Sequence, residues 1–193
     1  MTNKFATVLS VYVPTLQAET GVKEAFYHDL HNLLKQVDSK DKLLILGDFN
    51  GRVGRDFKLW KEVLGRHGIG NCNDNGHLLP EFSSEHQIII TNTLFQQNDR
   101  FRATWRHPHS KHWHLPDYVL TWQCDMRDVP HIRVMPSADC YNDHRLTHCK
   151  VAFTFKFPPK MKGPQMKKLQ VHKLCDPGGK TISKSYWRKD FFV

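Results

Sequence analysis

The chain has 193 residues, of which 39% are hydrophobic and 11% aromatic, a size and composition that suit one folded domain with an appendage. No apolar run is long enough to span a membrane, and the N-terminus lacks the pattern of a secretory signal, so we expect neither. The five cysteines are scattered and never spaced as Cys-x-x-Cys, which favours reduced thiols in an intracellular protein.

The net charge of +9 lies almost entirely at the C-terminal end. Residues 156–193 contain ten basic residues against two aspartates, a balance of +8, which leaves +1 for the rest of the chain. A basic tail attracts polyanions such as nucleic acid, and a solubilising linker is an equally good interpretation. We predict a folded domain over 1–157 and a basic, poorly ordered linker or tail over 158–193.

The hydrophobic pattern predicts a strand, a helix and a second strand within the first fifty residues. Residues 6–13 are rich in β-branched side chains and stop at Pro14. Residues 19–37 have apolar side chains at helical spacing, which predicts an amphipathic helix with its apolar face in the core. Residues 42–47 form a continuous apolar run, typical of a strand buried on both faces. Such a unit indicates neighbouring parallel strands in a covered sheet.

The rest of the domain is predicted to mix short elements with long loops. A loop rich in glycine and asparagine covers 51–75, and a second, histidine-rich loop covers 96–114. Between and after them we predict a helix over 76–86 and strands over 87–91, 117–122, 131–135 and 150–157.

Polar side chains follow the second predicted strand at its carboxyl end. Asp48 offers a carboxylate, and Asn50 offers an amide two residues later. In layered α/β folds catalytic groups stand at such strand ends, and these two suit a phosphate with a metal ion or a water beside it. An ordinary strand followed by an Asx turn explains the same residues about equally well.

Two more polar sites lie beside predicted strands, at Asp117 and at Asn142-Asp143-His144. A carboxylate such as Asp117 can hold the imidazole of His144 in one tautomer and raise its basicity. Together with the hydroxyl of Tyr12, these groups favour a hydrolase or phosphodiesterase.

Five short motifs follow one another within residues 5–157: Val11-Tyr12-Val13-Pro14-Thr15, Gly47-Asp48-Phe49-Asn50, Thr104-Trp105, Asp117-Tyr118 and Asp143-His144. In these motifs the chain resembles the endonuclease/exonuclease/phosphatase family, and in particular the endonucleases of RTE-clade, LINE-type retrotransposons and their domesticated relatives. The resemblance implies an α/β fold, the later portion of a four-layer α/β sandwich like that of DNase I. It also implies a Mg²⁺-dependent endonuclease acting on DNA.

The resemblance assigns catalytic roles to five residues. Tyr12 would contact the scissile phosphate, Asp48 would orient or activate the attacking water, and Asn50 would bind the phosphate beside it. Asp117 would pair with His144, and His144 would bind a non-bridging oxygen and stabilise the transition state. These roles match what phosphodiester cleavage needs: an aligned water, a divalent ion and donors for the growing charge.

Four further residues complete the expected site. Asp143 would belong to the side that binds Mg²⁺, which prefers oxygen ligands. Thr104 and Asn142 would line the substrate pocket, and Arg106 would contact the nucleic acid from the histidine-rich loop.

Two departures from the family pattern bear on activity. Family members present a strand ending in Asn and a metal-binding Glu before the Tyr-x-Pro segment, whereas this chain begins about where that segment begins. We therefore expect a sandwich incomplete at its N-terminus, weakened Mg²⁺ binding and weak or no activity of this chain alone, with a partner protein as one source of the missing sheet. Pro116 stands where relatives usually carry an aliphatic residue, and its restricted backbone can shift Asp117.

The alternative hypothesis is a non-catalytic protein that binds nucleic acid or acts as a scaffold. Zinc is a weaker alternative for the histidines at 107, 109, 112 and 114, because their spacing is not that of a zinc finger. It is weaker still for the set Cys140, His144, His148 and Cys149. Basic residues 160–168 suggest a nuclear protein.

Overall fold

The computed structural model describes residues 5–138 and 143–153, together with the backbone of residues 190–192. The elements in chain order are β1 (Ala6–Tyr12), α1 (Thr20–Leu34), β2 (Lys42–Asp48), α2 (Asp74–Glu85), β3 (Ile88–Ile90), β4 (Trp105–Arg106), β5 (Trp113–His114), β6 (Asp117–Trp122), β7 (His131–Met135), β8 (Leu146–Lys150) and β9 (Asp190–Phe192). None of the helices in these ranges has the length and apolar character that crossing a membrane requires.

The central sheet has the order β1-β2-β6-β3. β1 and β2 are parallel and joined by α1, which confirms the predicted strand–helix–strand unit. β6 lies antiparallel between β2 and β3, so its first residue, Asp117, stands opposite the last residue of β2, Asp48. This mixed α/β architecture confirms the predicted fold class.

The two faces of β2 pack against different layers, which explains its continuous apolar run. Leu43 and Ile45 belong to a core shared with α1 and α2, whereas Leu44 and Leu46 belong to a second core shared with the β7-β8-β9 sheet. Successive strand side chains point to opposite faces, so a strand with both faces covered must be apolar throughout. Full burial of each such side chain contributes about 1.5–3 kcal/mol.

Helix α1 buries a narrower stripe than the sequence pattern predicts. Leu30 and Leu34 are buried, but Val22 and Leu33 are 51% and 49% exposed, so the prediction that both pack in the core is wrong. At 100° per residue these two lie about 80° and 60° from Leu30 around the helix axis, at the margins of the face that meets the sheet.

The strand predicted over 150–157 lies earlier, at 146–150. The apolar alternation that suggested it is real, because Cys149, Val151 and Phe153 are all buried. Pairing with β7, however, ends at Lys150, and residues 154–157 lie outside the described part of the chain. Within the region predicted as a basic tail, β9 pairs antiparallel with β8; residues 158–189 are not among those described.

Gly47 lets β1 and β2 approach at the end of the sheet that carries the polar residues. Its φ is +152°, and a Cβ atom there would stand 1.8 Å from the carbonyl oxygen of Val11. No side chain larger than hydrogen fits at this contact. The pairing of β1 with β2 at their last two residues therefore requires glycine at position 47.

Candidate active site

Three of the predicted site residues stand side by side across neighbouring strands. Tyr12 ends β1 opposite Asp48 at the end of β2, and Asp48 in turn pairs with Asp117 at the start of β6. Residues paired in register point to the same face of a sheet, with strands about 4.8 Å apart. Tyr12, expected in a buried strand, is 68% exposed because β1 is an edge of the described sheet.

The turn after β2 fixes the carboxylate of Asp48. Asn50 has a left-handed backbone with φ of +46°, a conformation that Asn tolerates better than most residues. Its backbone N–H donates to Oδ1 of Asp48 at 2.7 Å, and its Nδ2 donates to the carbonyl oxygen of Val13 at 2.8 Å. The turn therefore ties the carboxylate to the segment that follows β1.

His144 lies between the two aspartates. Its Nδ1 is 3.0 Å from Oδ2 of Asp117, and its Nε2 is 3.9 Å from Oδ2 of Asp48. A carboxylate accepts a hydrogen bond, so Nδ1 carries the proton in this pair. The hydrogen bond to Asp117 raises the pKa of His144; burial opposes the shift, and the negative charges of the neighbouring aspartates add to it.

The pKa of Asp48 is raised as well, mainly because burial disfavours the charged carboxylate. The N–H of Asn50 counteracts this effect, and the charge of Asp117 adds to it.

The ligand atoms of Asp48, Asp117 and His144 all lie within 4.8 Å of one another. The two carboxylates of this group offer oxygen donors of the kind that Mg²⁺ prefers.

Asp143 reaches the same pocket from the segment before β8. Oδ2 of Asp143 accepts a hydrogen bond from the indole Nε1 of Trp105 at 2.6 Å, which lowers the pKa of this exposed carboxyl. Trp105 also forms an antiparallel bridge with His144. The short β4 strand therefore places Asp143 and His144 together.

A pocket of about 610 Å³ opens over these residues. Its walls include Tyr12, Asp48, Asn50, Asp143 and His144, which the sequence analysis had assigned to one site, and also Gln17, Arg52, Asn73, His107 and His114, which it had not.

Arg52 is the most informative of the missed residues. It brings a cation into the pocket, with Nη1 3.4 Å from Nδ1 of His114. Its position two residues after Asn50, in the same turn, is a signal that could have identified it. His114, which the sequence analysis considered as part of the histidine-rich loop and as a weaker candidate for a zinc ligand, stands beside Arg52 in the pocket wall.

Asn92, which the sequence analysis did not single out, supports Asp117. Its Oδ1 accepts from the backbone N–H of Val119 at 2.8 Å, and its Nδ2 donates to the carbonyl oxygen of Asp117 at 3.2 Å. The buried amide thus fixes the start of β6. With Pro116 just before it, Asp117 still pairs in register with Asp48 and still reaches His144.

Two of the three residues predicted to bind substrate, Thr104 and Arg106, lie in the described part of the chain, and neither lines the pocket. Thr104 is fully buried, and its backbone joins two segments: its N–H donates to His114 and its carbonyl accepts from Arg145. Arg106 is exposed, with its guanidinium 5.9 Å from the ring centre of Trp113. Asn142 lies outside the described residues.

The histidine-rich loop does not gather its side chains as a metal site. Within residues 5–138 and 143–153, the histidines at 107, 109, 112 and 114 supply no group of three converging ligands. The rings of His107 and His114 pack instead near Trp105, with centroids 5.4 and 5.9 Å from the indole. Cys140 of the other zinc alternative is not among the described residues.

Comparison with known proteins supplies relatives for most of the chain. No family model matches it. The chain is 38% identical over 158 residues to craniofacial development protein 2 of Bos taurus and 36% identical over 158 residues to that of Tragulus javanicus, which in each case is 82% of this chain. The chain spans about a quarter of the length of these curated relatives.

Similarity to solved structures concerns the fold alone, and it is carried by the first of the following two. The 3′ phosphatase NExo from Neisseria, bound to a product DNA hairpin, aligns with a TM-score of 0.52 and 16% identity over 76% of this chain and 61% of its own. The endonuclease domain of TRAS1, a telomere-specific non-LTR retrotransposon, aligns with a TM-score of 0.45 and 14% identity over 63% of this chain and 48% of its own. The chain is thus similar over most of its own length to craniofacial development protein 2, and its α/β fold is DNase I-like.

Proposed function

We propose that the pocket binds a DNA phosphodiester and supports its Mg²⁺-dependent hydrolysis, and that the 193-residue chain alone does so weakly. The observation that carries the proposal is the His144 imidazole, held by Asp117 and facing Asp48 at the ends of neighbouring strands. The nuclease-like fold supports the reaction class. The DNA hairpin bound to the structural relative NExo supports DNA as the substrate.

Asp48 and His144 divide the chemistry between them. Asp48, fixed by the N–H of Asn50, orients a water against phosphorus and accepts its proton, a role whose loss costs about 10²–10⁴ in rate. His144 directs Nε2 towards the pocket while Asp117 holds Nδ1. Its raised pKa favours the imidazolium, which opposes the charge that grows on a non-bridging oxygen.

Asp143 is the residue that we assign to the metal. The indole of Trp105 keeps its carboxyl ionised, as metal coordination requires. Bound Mg²⁺ neutralises phosphate charge as a Lewis acid. Among the described residues the pocket walls contain two carboxylates, Asp48 and Asp143, a sparse donor set that supports weak metal binding and therefore weak activity.

Phosphate binding rests on Tyr12, Asn50 and Arg52. The exposed hydroxyl of Tyr12 and the guanidinium of Arg52 stand in the same pocket as Asp48. A guanidinium binds phosphate through paired, charge-assisted hydrogen bonds. One Nδ2 hydrogen of Asn50 serves Val13, and the other is the donor that we assign to the phosphate.

Nicking of supercoiled plasmid by the purified chain tests this proposal. The samples are the wild type with Mg²⁺, the wild type with EDTA, and an Asp48→Ala/His144→Ala double variant with Mg²⁺. Nicking by the first sample alone is the expected result. If the double variant nicks as fast as the wild type, the pocket is not the active site.

A second candidate, non-catalytic binding of nucleic acid, rests on a surface formed by Trp113, Arg106 and Arg145. Trp113 is 38% exposed, and the guanidinium of Arg145 lies 3.4 Å from its ring centre. Cationic and aromatic groups together stack on bases and meet phosphates. Non-catalytic binding is the better assignment if none of the three samples nicks the plasmid but the wild-type chain still retards its migration in a gel at low salt. An Arg106→Ala/Arg145→Ala variant should then lose this retardation.

A further inference from the structure

A second group of metal-ligating side chains lies on the helical layer, outside the proposed active site. His31 is in α1, Glu85 is the last residue of α2, and His86 follows directly. None of the three lines the pocket around Asp48. The described residues contain two sets of three converging ligand atoms, and these three residues are one of them. The other set, called the Asp48 group below, is Asp48, Asp117 and His144. We propose that His31, Glu85 and His86 bind Zn²⁺.

The distances suit a single small cation. Nδ1 of His31 is 3.0 Å from Nε2 of His86 and 3.6 Å from Oε1 of Glu85. Tetrahedral ligands about 2.1 Å from a zinc ion stand about 3.4 Å from one another, close to both separations. All three ligand atoms lie within 4.8 Å of one another, so a zinc ion bridges them with only small side-chain movements.

The donor chemistry selects zinc over magnesium or calcium. Two imidazole nitrogens and one carboxylate oxygen are borderline ligands, which Zn²⁺ accepts and which hard, oxygen-seeking cations do not favour. This contrasts with the Asp48 pocket, whose carboxylates prefer Mg²⁺. The two sites therefore differ in the metal that they bind as well as in their place in the fold.

The His86 ring is held in place before any metal binds. It packs on Phe82 with centroids 4.5 Å apart, and Phe82 packs in turn on Tyr27 at 5.3 Å. The backbone N–H of His86 donates to the carbonyl of Phe82, and Gln87 turns the chain into β3 with a φ of +55°. A ligand fixed by packing loses little freedom on binding, which favours affinity.

The site opens into a cleft with space for further ligands. The cleft has a volume of about 500 Å³ and is lined by His31 and Glu85, and also by His28 and Glu81. Three protein ligands with an open fourth position match the arrangement of accessible zinc sites, in which a water completes the tetrahedron. Because His31 belongs to one helix and Glu85 to the other, zinc would clamp α1 to α2.

Zinc binding by the full chain tests the proposal. The experiment uses metal-stripped protein that carries His144→Ala, so that the Asp48 group cannot compete for the ion. Affinity is measured by competition with a chromogenic chelator, and Co²⁺ is added as a spectroscopic substitute. The variants are His31→Gln and His86→Gln. The matched control is His77→Ala, an exposed histidine on α2 that does not line the cleft.

The expected result is one zinc ion lost, or bound roughly tenfold or more weakly, in each of the two ligand variants, His31→Gln and His86→Gln, and retained in the control. Co²⁺ should give the visible absorption of a tetrahedral site in the control alone. Zinc should also raise the Tm of the control and leave the Tm of the two ligand variants unchanged. Circular dichroism of the metal-free proteins checks that each variant folds, and a variant that does not fold is replaced by Glu85→Gln.

Equal zinc affinity in the two ligand variants and the control would overturn the proposal. So would the absence of zinc binding by the folded control, in which case the 3.0 Å contact between His31 and His86 is a hydrogen bond between two imidazoles and nothing more.

Discussion

Nδ1 of His144 lies 3.0 Å from Oδ2 of Asp117, although the two residues are 27 positions apart in the chain. The start of β6 presents the carboxylate, and the segment before β8 presents the imidazole. This pair determines the charge of the group that we assign to transition-state stabilisation, and two of the following predictions depend on it.

Replacing Asp117 with Asn should lower the pKa of His144, because the hydrogen bond that the ring donates to the carboxylate is the largest cause of the upward shift. Plasmid nicking should fall by roughly 10² or more, since a neutral amide neither supports the imidazolium nor enforces its tautomer. Titration of the His144 ring by NMR measures the first effect. An unchanged His144 pKa in a folded variant would contradict the role given to this pair.

Stability should depend on pH through the same histidine. The pKa of His144 is raised above its ordinary value of 6.5, so folding favours the protonated ring. This contribution is complete below pH 6.5 and is lost as the pH rises through the higher pKa of the folded state. Urea unfolding of the wild type and of His144→Gln at several pH values should show the difference between them shrinking above pH 6.5. A difference that is constant with pH would refute the linkage.

Gly47→Ala should destabilise the fold by about 2–3 kcal/mol, because the new methyl group would meet the carbonyl oxygen of Val11. Gly21→Ala is the matched control: a Cβ atom at Gly21 meets nothing within 4 Å, and alanine in α1 should stabilise the protein by about 0.5 kcal/mol. Chemical denaturation measures both. Equal stability of the Gly47 variant and the wild type would mean that β1 and β2 do not approach as described.

The thiols should differ sharply in reactivity. Cys149 is fully buried in the second core, and burial raises its pKa to about 12, whereas Cys124 is exposed. Because the thiolate is the reactive form, iodoacetamide at pH 8 should alkylate Cys124 in the native protein and reach Cys149 only after unfolding. Peptide mass spectrometry reads both sites in one sample. Labelling of both at the same rate would show that the second core is open.

Local patterns were enough to predict the centre of the fold and the three polar segments of the site. The apolar run of β2 has one explanation, burial on both faces, and the structure shows it. Asp48 and Asp117 meet because β2 ends and β6 begins at the same edge of the central sheet, whereas Asp143 and His144 reach the same pocket through their contacts with Trp105.

The features that the sequence could not predict depend on how the strands, helices and loops pack against one another. The exposure of Tyr12 follows from the edge position of β1, a property of the whole sheet. His114 enters the pocket only because the β4–β5 hairpin folds back beside Arg52. Thr104, which the family resemblance assigned to the pocket, is fully buried.

The place of β6 between β2 and β3 governs how the chain can fold. β6 follows both of its neighbours in the sequence, so the sheet cannot grow strand by strand from one end. During synthesis β2 and β3 emerge before β6, so the edge that each of them pairs with β6 is at first unpaired. Intermediates with unpaired apolar strands fold slowly and aggregate readily. Until Trp122 has been synthesised, β6 cannot complete its pairing with β3 and join it to β2 in one sheet.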